Sequence, residues 1–297
     1  AKQEGFTQVI TGGGYKADEE RESYAVFSEW LINPSEQFSY SIGGRWDTNP
    51  DFGSHSSYRL AGAYLIPIQG PQLKWRAATS TGFRLPSFYE IYFNNHAAFD
   101  LAGTQKTFTS ETSRGVETGL DASWQRFTLS ATVFSAKIDK EIFYDLLNYS
   151  GYVQAEGESK SSGLELSSQW QMTDGLSWRL GYTHLETEQN SSPLAGSSAR
   201  TEKGQRPENS YTLGMHLELF QGASSTDIQY RSAFNQRAFG GKLMEDYAVL
   251  DAQTSWQFNL STQAYIRIVN GLDENYQEVQ GYNAAPFNAY AGLKLAF

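Results

Sequence analysis

The chain has 297 residues, a net charge of −10, a pI near 5.0 and no cysteine. An acidic chain without a lysine or arginine cluster argues against nucleic-acid binding, which depends on a basic surface. The lack of cysteine excludes disulfides and thiolate metal sites. Mean hydropathy is −0.51, and no run approaches the roughly 18 apolar residues of a membrane helix, yet 14% of the residues are aromatic.

Apolar and polar side chains alternate in segments of roughly ten residues, as at 38–47, 210–219 and 250–258. The last segment, 289–297, has apolar residues at every odd position, carries Lys294 on the other face and closes on Phe297. Successive strand side chains point to opposite faces, so each segment presents one apolar and one polar face. Repeated segments of this kind are typical of a transmembrane antiparallel β-barrel.

The pattern predicts about fourteen strands within a single domain, with both ends of the strand array on the same side of the membrane. In chain order they cover residues 6–11, 20–33, 37–48, 55–67, 73–83, 111–124, 127–139, 152–172, 176–187, 209–220, 226–236, 246–258, 260–271 and 289–297.

The connections between these strands alternate between short and long. Short turns are predicted at 33–36, 69–72, 124–126, 173–175, 221–225 and 258–260, and long polar stretches at 48–56, 85–109, 140–158, 187–208, 235–245 and 273–288. A soluble β-sandwich also alternates along its strands, but it has no reason to keep this parity, which is typical of outer-membrane barrels. Tryptophans near predicted strand ends suit interfacial girdles: Trp46, Trp75, Trp124, Trp170, Trp178 and Trp256.

Residues 82–92, GFRLPSFYEIY, resemble the GFRxPSxxELY segment of TonB-dependent outer-membrane receptors. Three further stretches resemble that family in the same order: 110–120 (SETS and ETGL), 163–166 (GLEL) and 269–282 (VNGLDENY and GY). The chain departs from the family pattern at 104–110, after Leu272 and at 286–288.

The resemblance implies the all-β C-terminal part, residues 1–297, of a larger 22-stranded barrel in the outer membrane of a Gram-negative bacterium. It implies that the plug and the N-terminal barrel strands lie outside this chain, that TonB acts through that plug, and that lipid and lipopolysaccharide surround the wall. The expected function is import of a bulky, scarce ligand: an iron-siderophore, haem or a corrinoid such as cobalamin. No resident cofactor and no nucleic-acid partner are expected.

Two other functions stay open. One is a self-contained fourteen-strand diffusion channel, and the other is an outer-membrane hydrolase. No HExxH, GxSxG or P-loop pattern is present, and no recognisable motif pairs a serine or aspartate with one of the four histidines, His55, His96, His184 and His216. We therefore predict no catalytic residue and no enzymatic activity. His216 alternates with apolar residues and is predicted to face the barrel interior.

The candidate ligand-binding residues are Arg84, Tyr89, Tyr92, His96 and Phe99, which follow the strand at 73–83. A structural role for Arg84, as an anchor of the loop, is the preferred interpretation. Aromatic side chains with a few polar groups suit large, amphipathic ligands. In haem receptors of the family a similarly placed histidine is an axial ligand, so His96 is a metal ligand only if the ligand is haem; otherwise no metal site is predicted.

Overall fold

The computed structural model describes residues 2–10, 15–95, 107–145, 151–190 and 200–296. Its strands, in chain order, are β1 (Lys2–Ile10), β2 (Tyr15–Glu22), β3 (Tyr24–Ile32), β4 (Phe38–Asn49), β5 (Gly53–Ile66), β6 (Gln72–Arg84), β7 (Glu111–Ser123), β8 (Phe127–Asp139), β9 (Ile142–Tyr144), β10 (Tyr152–Gln154), β11 (Glu158–Thr173), β12 (Leu176–Asn190), β13 (Arg200–Thr201), β14 (Asn209–Leu219), β15 (Ser224–Phe234), β16 (Tyr247–Asn259), β17 (Thr262–Val269) and β18 (Asn288–Leu295). A short helix, α1 (Phe88–Asn95), follows β6. Among the described residues, no helix is long and apolar enough to cross a membrane.

Thirteen strands form one antiparallel sheet in the order β18-β17-β16-β15-β14-β12-β11-β8-β7-β6-β5-β4-β3, with β13 as a short addition to β12. The meander confirms the predicted all-β architecture. One prediction needs correction. The first predicted strand, 6–11, corresponds to β1, which pairs with β2 and does not join the large sheet. The predicted strand at 20–33 divides at Ser23, and that at 152–172 divides into β10 and β11. The sheet of the described residues therefore has an odd number of strands. The start of β3 and the end of β18 lie on opposite sides of the sheet, and not on the same side as predicted.

The register separates an apolar face from a polar face of the sheet. One cross-strand row joins direct partners on β6, β7, β8, β11, β12 and β14: Trp75, Leu120, Ala131, Leu166, Tyr182 and Tyr211. The adjacent row, one residue away on each strand, is Arg76, Gly119, Thr132, Glu165, Thr183 and Ser210. Because a shift of one residue reverses the face, the alternation of the sequence becomes two chemically different surfaces.

No second layer covers the apolar face in the described part of the chain. Val133 in the middle of β8 is 50% exposed, and Leu180 and Leu213 on the neighbouring part of the sheet are also exposed. The buried hydrophobic residues of the described segments are Phe108, Ile142, Val153, Ala155, Ala233, Ala238, Val249 and Tyr276, which lie mainly in the connections and at strand ends. A sandwich would bury the apolar faces of its strands against each other, so this architecture excludes it.

The connections at the two ends of the sheet differ in length. At the turn end lie tight turns such as 124–126, 174–175 and 260–261. The longer connections, β6 to β7, β8 to β11, β12 to β14, β15 to β16 and β17 to β18, leave the sheet at the other end, the loop end. One prediction is wrong: 48–56 is not a long loop. Asn49 Oδ1 accepts the backbone N–H groups of Asp51 (2.9 Å) and Phe52 (3.1 Å), and Gly53 has φ +75°, so an Asx-type turn joins β4 to β5.

The tryptophan side chains mark the borders of the apolar face, as predicted. Trp75, Trp124, Trp170 and Trp256 are exposed near the turn end, and Trp46 is exposed near the loop end of β4. Trp178 lies directly across from Trp170. Amphipathic indole rings prefer a membrane–water interface, so the turn-end group is placed as an interfacial girdle, and Trp46 marks the opposite border.

Gly163 of β11 sits where strands β8, β11 and β12 crowd together. A Cβ at this position would overlap the His184 carbonyl oxygen and lie 2.9 Å from Phe134 Cζ, whereas a Cβ at Gly44 would meet no atom within 4 Å. We expect Gly163→Ala to lower the free energy of unfolding by about 1–3 kcal/mol, as overpacking does. Guanidinium unfolding of the folded protein measures this, with Gly44→Ala as the matched control. Equal stability of the two variants would contradict the close approach of these strands.

Candidate ligand-binding rim at the loop end

Helix α1 starts at a capping box. Ser87 N–H donates to Glu90 Oε2 at 2.6 Å, and Glu90 N–H donates to Ser87 Oγ at 3.2 Å. A serine followed three residues later by a glutamate satisfies two backbone donors at a helix start. Pro86, fully buried, precedes the cap and separates the helix from β6. The residues of the GFRLPSFYEIY segment thus end one strand and begin one helix.

Arg84 binds two buried carboxylates. Its Nε and Nη2 donate to Glu111 Oε2 (2.7 Å) and Oε1 (2.6 Å), and its Nη1 donates to Glu90 Oε2 (3.0 Å). Glu111 Oε1 also accepts the backbone N–H of Ile142 at 2.5 Å. A bidentate arginine–carboxylate pair fixes geometry as well as charge. Arg84 therefore ties the end of β6 to helix α1 and to the start of β7, and Glu111 extends the connection to the start of β9.

An aromatic cluster joins α1 to the small hairpin β9–β10. The rings of Tyr89, Phe93, Tyr144 and Tyr152 contact one another with centroid separations of 5.4–5.9 Å. Burial, aided by the nearby Tyr89 and Glu90, raises the pKa of the Tyr152 phenol above its usual value. The Tyr152 ring therefore stays neutral through the physiological range. Tyr89 is the member at the exposed margin, with 36% of its surface accessible.

Asn94 locks this cluster in place. Its side chain is completely buried; Nδ2 donates to the Tyr152 carbonyl (2.5 Å) and Oδ1 accepts the Tyr152 N–H (2.7 Å). An amide can satisfy one backbone donor and one backbone acceptor at once. Gly151 precedes Tyr152 with φ +92°, and a Cβ there would lie 2.5 Å from Asn94 Oδ1. Glycine is therefore required at this close approach.

Arg21 of β2 anchors the other side of the segment 86–88. Its Nη1 donates to the Pro86 carbonyl at 2.8 Å, and its guanidinium carbon lies 4.9 Å from the Phe52 ring centroid and 4.6 Å from that of Phe88. Burial lowers the pKa of Arg21, opposed by Asp51. A cation between two aromatic faces is a favourable partly desolvated arrangement.

Further ion pairs connect the remaining loop-end segments. Lys203 Nζ lies 2.7 Å from Glu141 Oε1, and the Lys203 side chain is only 8% exposed. Arg237 Nε lies 2.6 Å from Glu202 Oε2. A cation thus ties neighbouring connections together at two junctions, and the described loop end is an interlocked rim.

The structure places the predicted ligand-binding residues in different environments. Arg84 has the anchoring role that was preferred for it, Tyr89 lies at the exposed margin of the aromatic cluster, and Tyr92 lies half-buried on α1. His96 and Phe99 lie outside the described residues. Sequence reasoning missed four rim residues: Arg21, Asn94, Tyr144 and Tyr152. Their partners lie more than fifty residues away in the chain, or they lie in stretches that showed no strand pattern.

The described histidines do not assemble a catalytic site. His55 stacks on Phe83 (4.5 Å) and its Nε2 lies 2.9 Å from Ser110 Oγ. His184 lies 3.0 Å from Asn209 Oδ1. Within the described segments, His216 contacts the carboxylates of Asp227 (2.8 Å) and Glu218 (3.3 Å). A nucleophilic triad needs a serine and a carboxylate on the same histidine, and none of these three has both.

His216 shares its face with Thr212 and lies on the polar side of β14, as predicted. Across the segments that the structure describes, no group of three or more histidine, aspartate or glutamate side chains is placed to hold a metal ion.

Residues 2–270 match the family described as "TonB dependent receptor-like, beta-barrel". The chain belongs to this TonB-dependent receptor barrel family. The apolar face of the sheet is therefore the lipid-facing surface of an outer-membrane β-barrel of a Gram-negative bacterium, and the polar face lines its interior.

Two relatives in sequence are a vitamin B12 transporter and an outer membrane protein. The vitamin B12 transporter BtuB of Photobacterium profundum is 26% identical over 295 residues, covering 97% of this chain and 45% of the relative. The iron-regulated outer membrane virulence protein of Vibrio cholerae serotype O1 is 23% identical over 300 residues, covering 92% of this chain and 44% of the relative. The chain thus spans less than half the length of these curated relatives.

A solved structure with the same fold is the siderophore receptor PirA of Acinetobacter baumannii. It superimposes with a TM-score of 0.73 at 13% sequence identity, covering 98% of this chain and 49% of that protein. At this identity the likeness establishes the fold of the TonB-dependent receptor barrel and not the ligand.

Proposed function

We propose that this chain is the C-terminal portion of the barrel of a TonB-dependent receptor that imports a bulky, scarce ligand of the iron-siderophore, haem or cobalamin class. The observation that carries the proposal is the interlocked rim, which is built only at the loop end of the described sheet. Ion pairs, buried amides and edge-to-face aromatic rings hold the long connections in one arrangement there. A rim of this kind suits ligand capture better than passive diffusion, because preorganised groups bind with less loss of conformational freedom.

The edges of the sheet support the assignment as part of a larger barrel. No pairing between β3 and β18 occurs in the described residues, and both faces of β3 are exposed, with Val26 at 71% and Phe27 at 72%. Unpaired backbone groups in lipid cost several kcal/mol each. We propose that the remaining barrel strands of the same receptor cover both edges, that the receptor's plug fills the interior, and that TonB acts on that plug.

Around the wall, the apolar face and its tryptophan girdles suit contact with lipid and lipopolysaccharide. Inside the rim, Tyr89 is the exposed aromatic group that we assign to ligand contact. Ligand contacts by Tyr92, His96 and Phe99 stay predictions, and so does a haem-ligating role for His96. If the Soret band of the haem-loaded receptor is unchanged in His96→Ala, His96 is not a haem ligand.

The alternatives fit less well. A self-contained channel needs a closed ring of strands, and β3 and β18 are not partners of each other in the described sheet. For a hydrolase, none of the described histidines contacts both a serine and a carboxylate. The proposal is therefore a receptor without enzymatic activity of its own.

The test is uptake by cells that lack their own receptors and express the complete receptor containing this chain. Radiolabelled vitamin B12, ferric enterobactin and haem are the probes. We expect accumulation of one of them, and we expect it to fall to the background of receptor-free cells when TonB is absent or when this chain is expressed alone. Uptake that persists without TonB, or from the chain alone, would support a diffusion channel instead.

A further inference from the structure

A cleft lies between two connections at the loop end, away from α1 and its aromatic cluster. Residues 238–245, between β15 and β16, form one wall, and residues 275–283, between β17 and β18, form the other. Its volume is about 410 Å³. This is within the range of clefts that hold small molecules or a portion of a larger one, about 300–1,000 Å³.

Hydrogen bonds and an ion pair from Arg231 and Gln236, on and just after β15, hold the second wall of the cleft in place. Arg231 of β15 reaches the second wall, where its Nη2 donates to the Tyr276 hydroxyl at 2.7 Å and its Nη1 lies 2.5 Å from Glu278. Gln236 Nε2 donates to the Glu278 carbonyl at 2.7 Å, which joins the first wall to the second. The Tyr276 ring is buried against Tyr247, with 4.6 Å between centroids.

The base of the second wall is fixed by Asn270, which is 1% exposed. Its Nδ2 donates to the carbonyls of Glu274 (2.8 Å) and Ala285 (3.1 Å), and its Oδ1 accepts the Glu274 N–H (2.9 Å). The two ends of the connection are therefore pinned together. The cleft is preformed, which lowers the entropic cost of binding.

Side-chain amides dominate the polar lining. Asn275 and Gln280 are exposed in the cleft, and Gln277 donates to Asn283 Oδ1 at 2.6 Å beside them. An amide offers both donors and an acceptor, so this lining matches a ligand that carries amide or hydroxyl groups and no net charge.

The charges of the cleft also fit a neutral ligand. Lys242 and Glu245 are the charged residues that line it, and they cancel. Nearby Glu278 is neutralised by Arg231. Binding of an anionic iron chelate would call for an excess of cations, and the described lining has no such excess.

Large apolar side chains border the amides. Leu243 lines the cleft on the first wall and is 52% exposed. Phe239 and Tyr282, which belong to the same two connections but do not line the cleft, are exposed beside it. Exposed apolar groups around convergent polar groups are typical of a small-molecule site.

We infer that this cleft binds a neutral, amide-bearing amphipathic ligand and that Asn275 and Gln280 are specificity-determining residues for it. The inference rests on the proposed function and narrows it, since it favours vitamin B12 chemistry over an anionic ferric catecholate such as ferric enterobactin.

The test measures equilibrium binding of vitamin B12 and of ferric enterobactin to the complete purified receptor and to its Asn275→Leu/Gln280→Leu variant. Leucine keeps most of the side-chain volume and removes the hydrogen-bonding groups. We expect vitamin B12 affinity to fall about tenfold through the loss of two hydrogen bonds. Gln69→Leu, an exposed glutamine at the turn end, is the matched control and is expected to bind like the wild type.

A second variant tests the charge argument. Glu245→Gln makes the cleft cationic, and a neutral ligand should bind it within about twofold of the wild type, since an exposed single charge contributes little. A large change in vitamin B12 affinity would contradict recognition through amides.

Three further outcomes of these binding measurements would overturn the inference. Unchanged vitamin B12 binding by the double variant overturns the inference. A wild-type receptor that binds ferric enterobactin and not vitamin B12 also overturns it, while the proposed import function survives. A receptor that binds neither probe overturns the inference, and the uptake assay then decides the fate of the proposed function separately.

Discussion

Replacing Arg84 with methionine is expected to release α1 from the rim. The substitution replaces the aliphatic stem of the arginine with an unbranched apolar side chain but leaves Glu90 and Glu111, whose side chains are 9% and 11% exposed, without their shared cation. Arg84 is itself 44% exposed, so the cost comes from the carboxylates: leaving them buried without a cation costs about 3 kcal/mol, because their charges stay desolvated. That cost falls on the contacts between α1, the start of β7 and the start of β9, and not on the sheet as a whole.

Amide hydrogen exchange of the complete receptor measures this effect locally. Amides at 88–94 and 142–144 are expected to exchange about a hundredfold faster in Arg84→Met, since about 1.4 kcal/mol corresponds to a factor of ten. The control is Arg126→Met, which removes a pair with Asp174 at the turn end whose side chains are 54% and 95% exposed. Such a pair contributes less than about 1 kcal/mol. Similar exchange in both variants would mean that Arg84 does not anchor the rim.

The strands were predictable from the sequence because each one carries its own signal. The period-two alternation at 127–139 or 209–220 identifies a strand and both of its faces without knowledge of its neighbours. The structure places these strands within one or two residues of the prediction. Five of the six turn-end connections were equally accessible, since glycine, proline, asparagine or aspartate interrupts the pattern there; 124–126 contains none of these and was identified from the strands on either side.

The contacts that build the rim could not be predicted from the sequence in the same way. Asn94 and Tyr152 are 58 positions apart, and neither has a local pattern that indicates its partner. The error at 48–56 has a physical reason as well: a polar stretch contains no signal that separates a long loop from strand ends joined by an Asx-type turn. Asn49 and Gly53 were the signal for the turn, and the polar side chains of the flanking strand ends obscured it.

An arginine in the middle of the apolar face is expected to destabilise the barrel strongly. Val133 lies at the centre of β8 between its direct partners Thr118 and Leu164, with half of its surface exposed. Because lipid covers that face, Val133→Arg places a charge near the bilayer midplane, which costs about 2–4 kcal/mol in a β-barrel. Glu117→Arg is the matched control, because Glu117 is the direct partner of Phe134, the next residue along β8, and so lies at the same depth on the polar face.

The most direct measurement of the membrane-barrel account is the difference in folding free energy between these two variants of the complete receptor in phospholipid bilayers. The account predicts that Val133→Arg loses about 2–4 kcal/mol and that Glu117→Arg changes stability by less than about 1 kcal/mol. Equal losses for the two variants, or a larger loss for Glu117→Arg, would show that lipid does not cover the apolar face and would contradict the account.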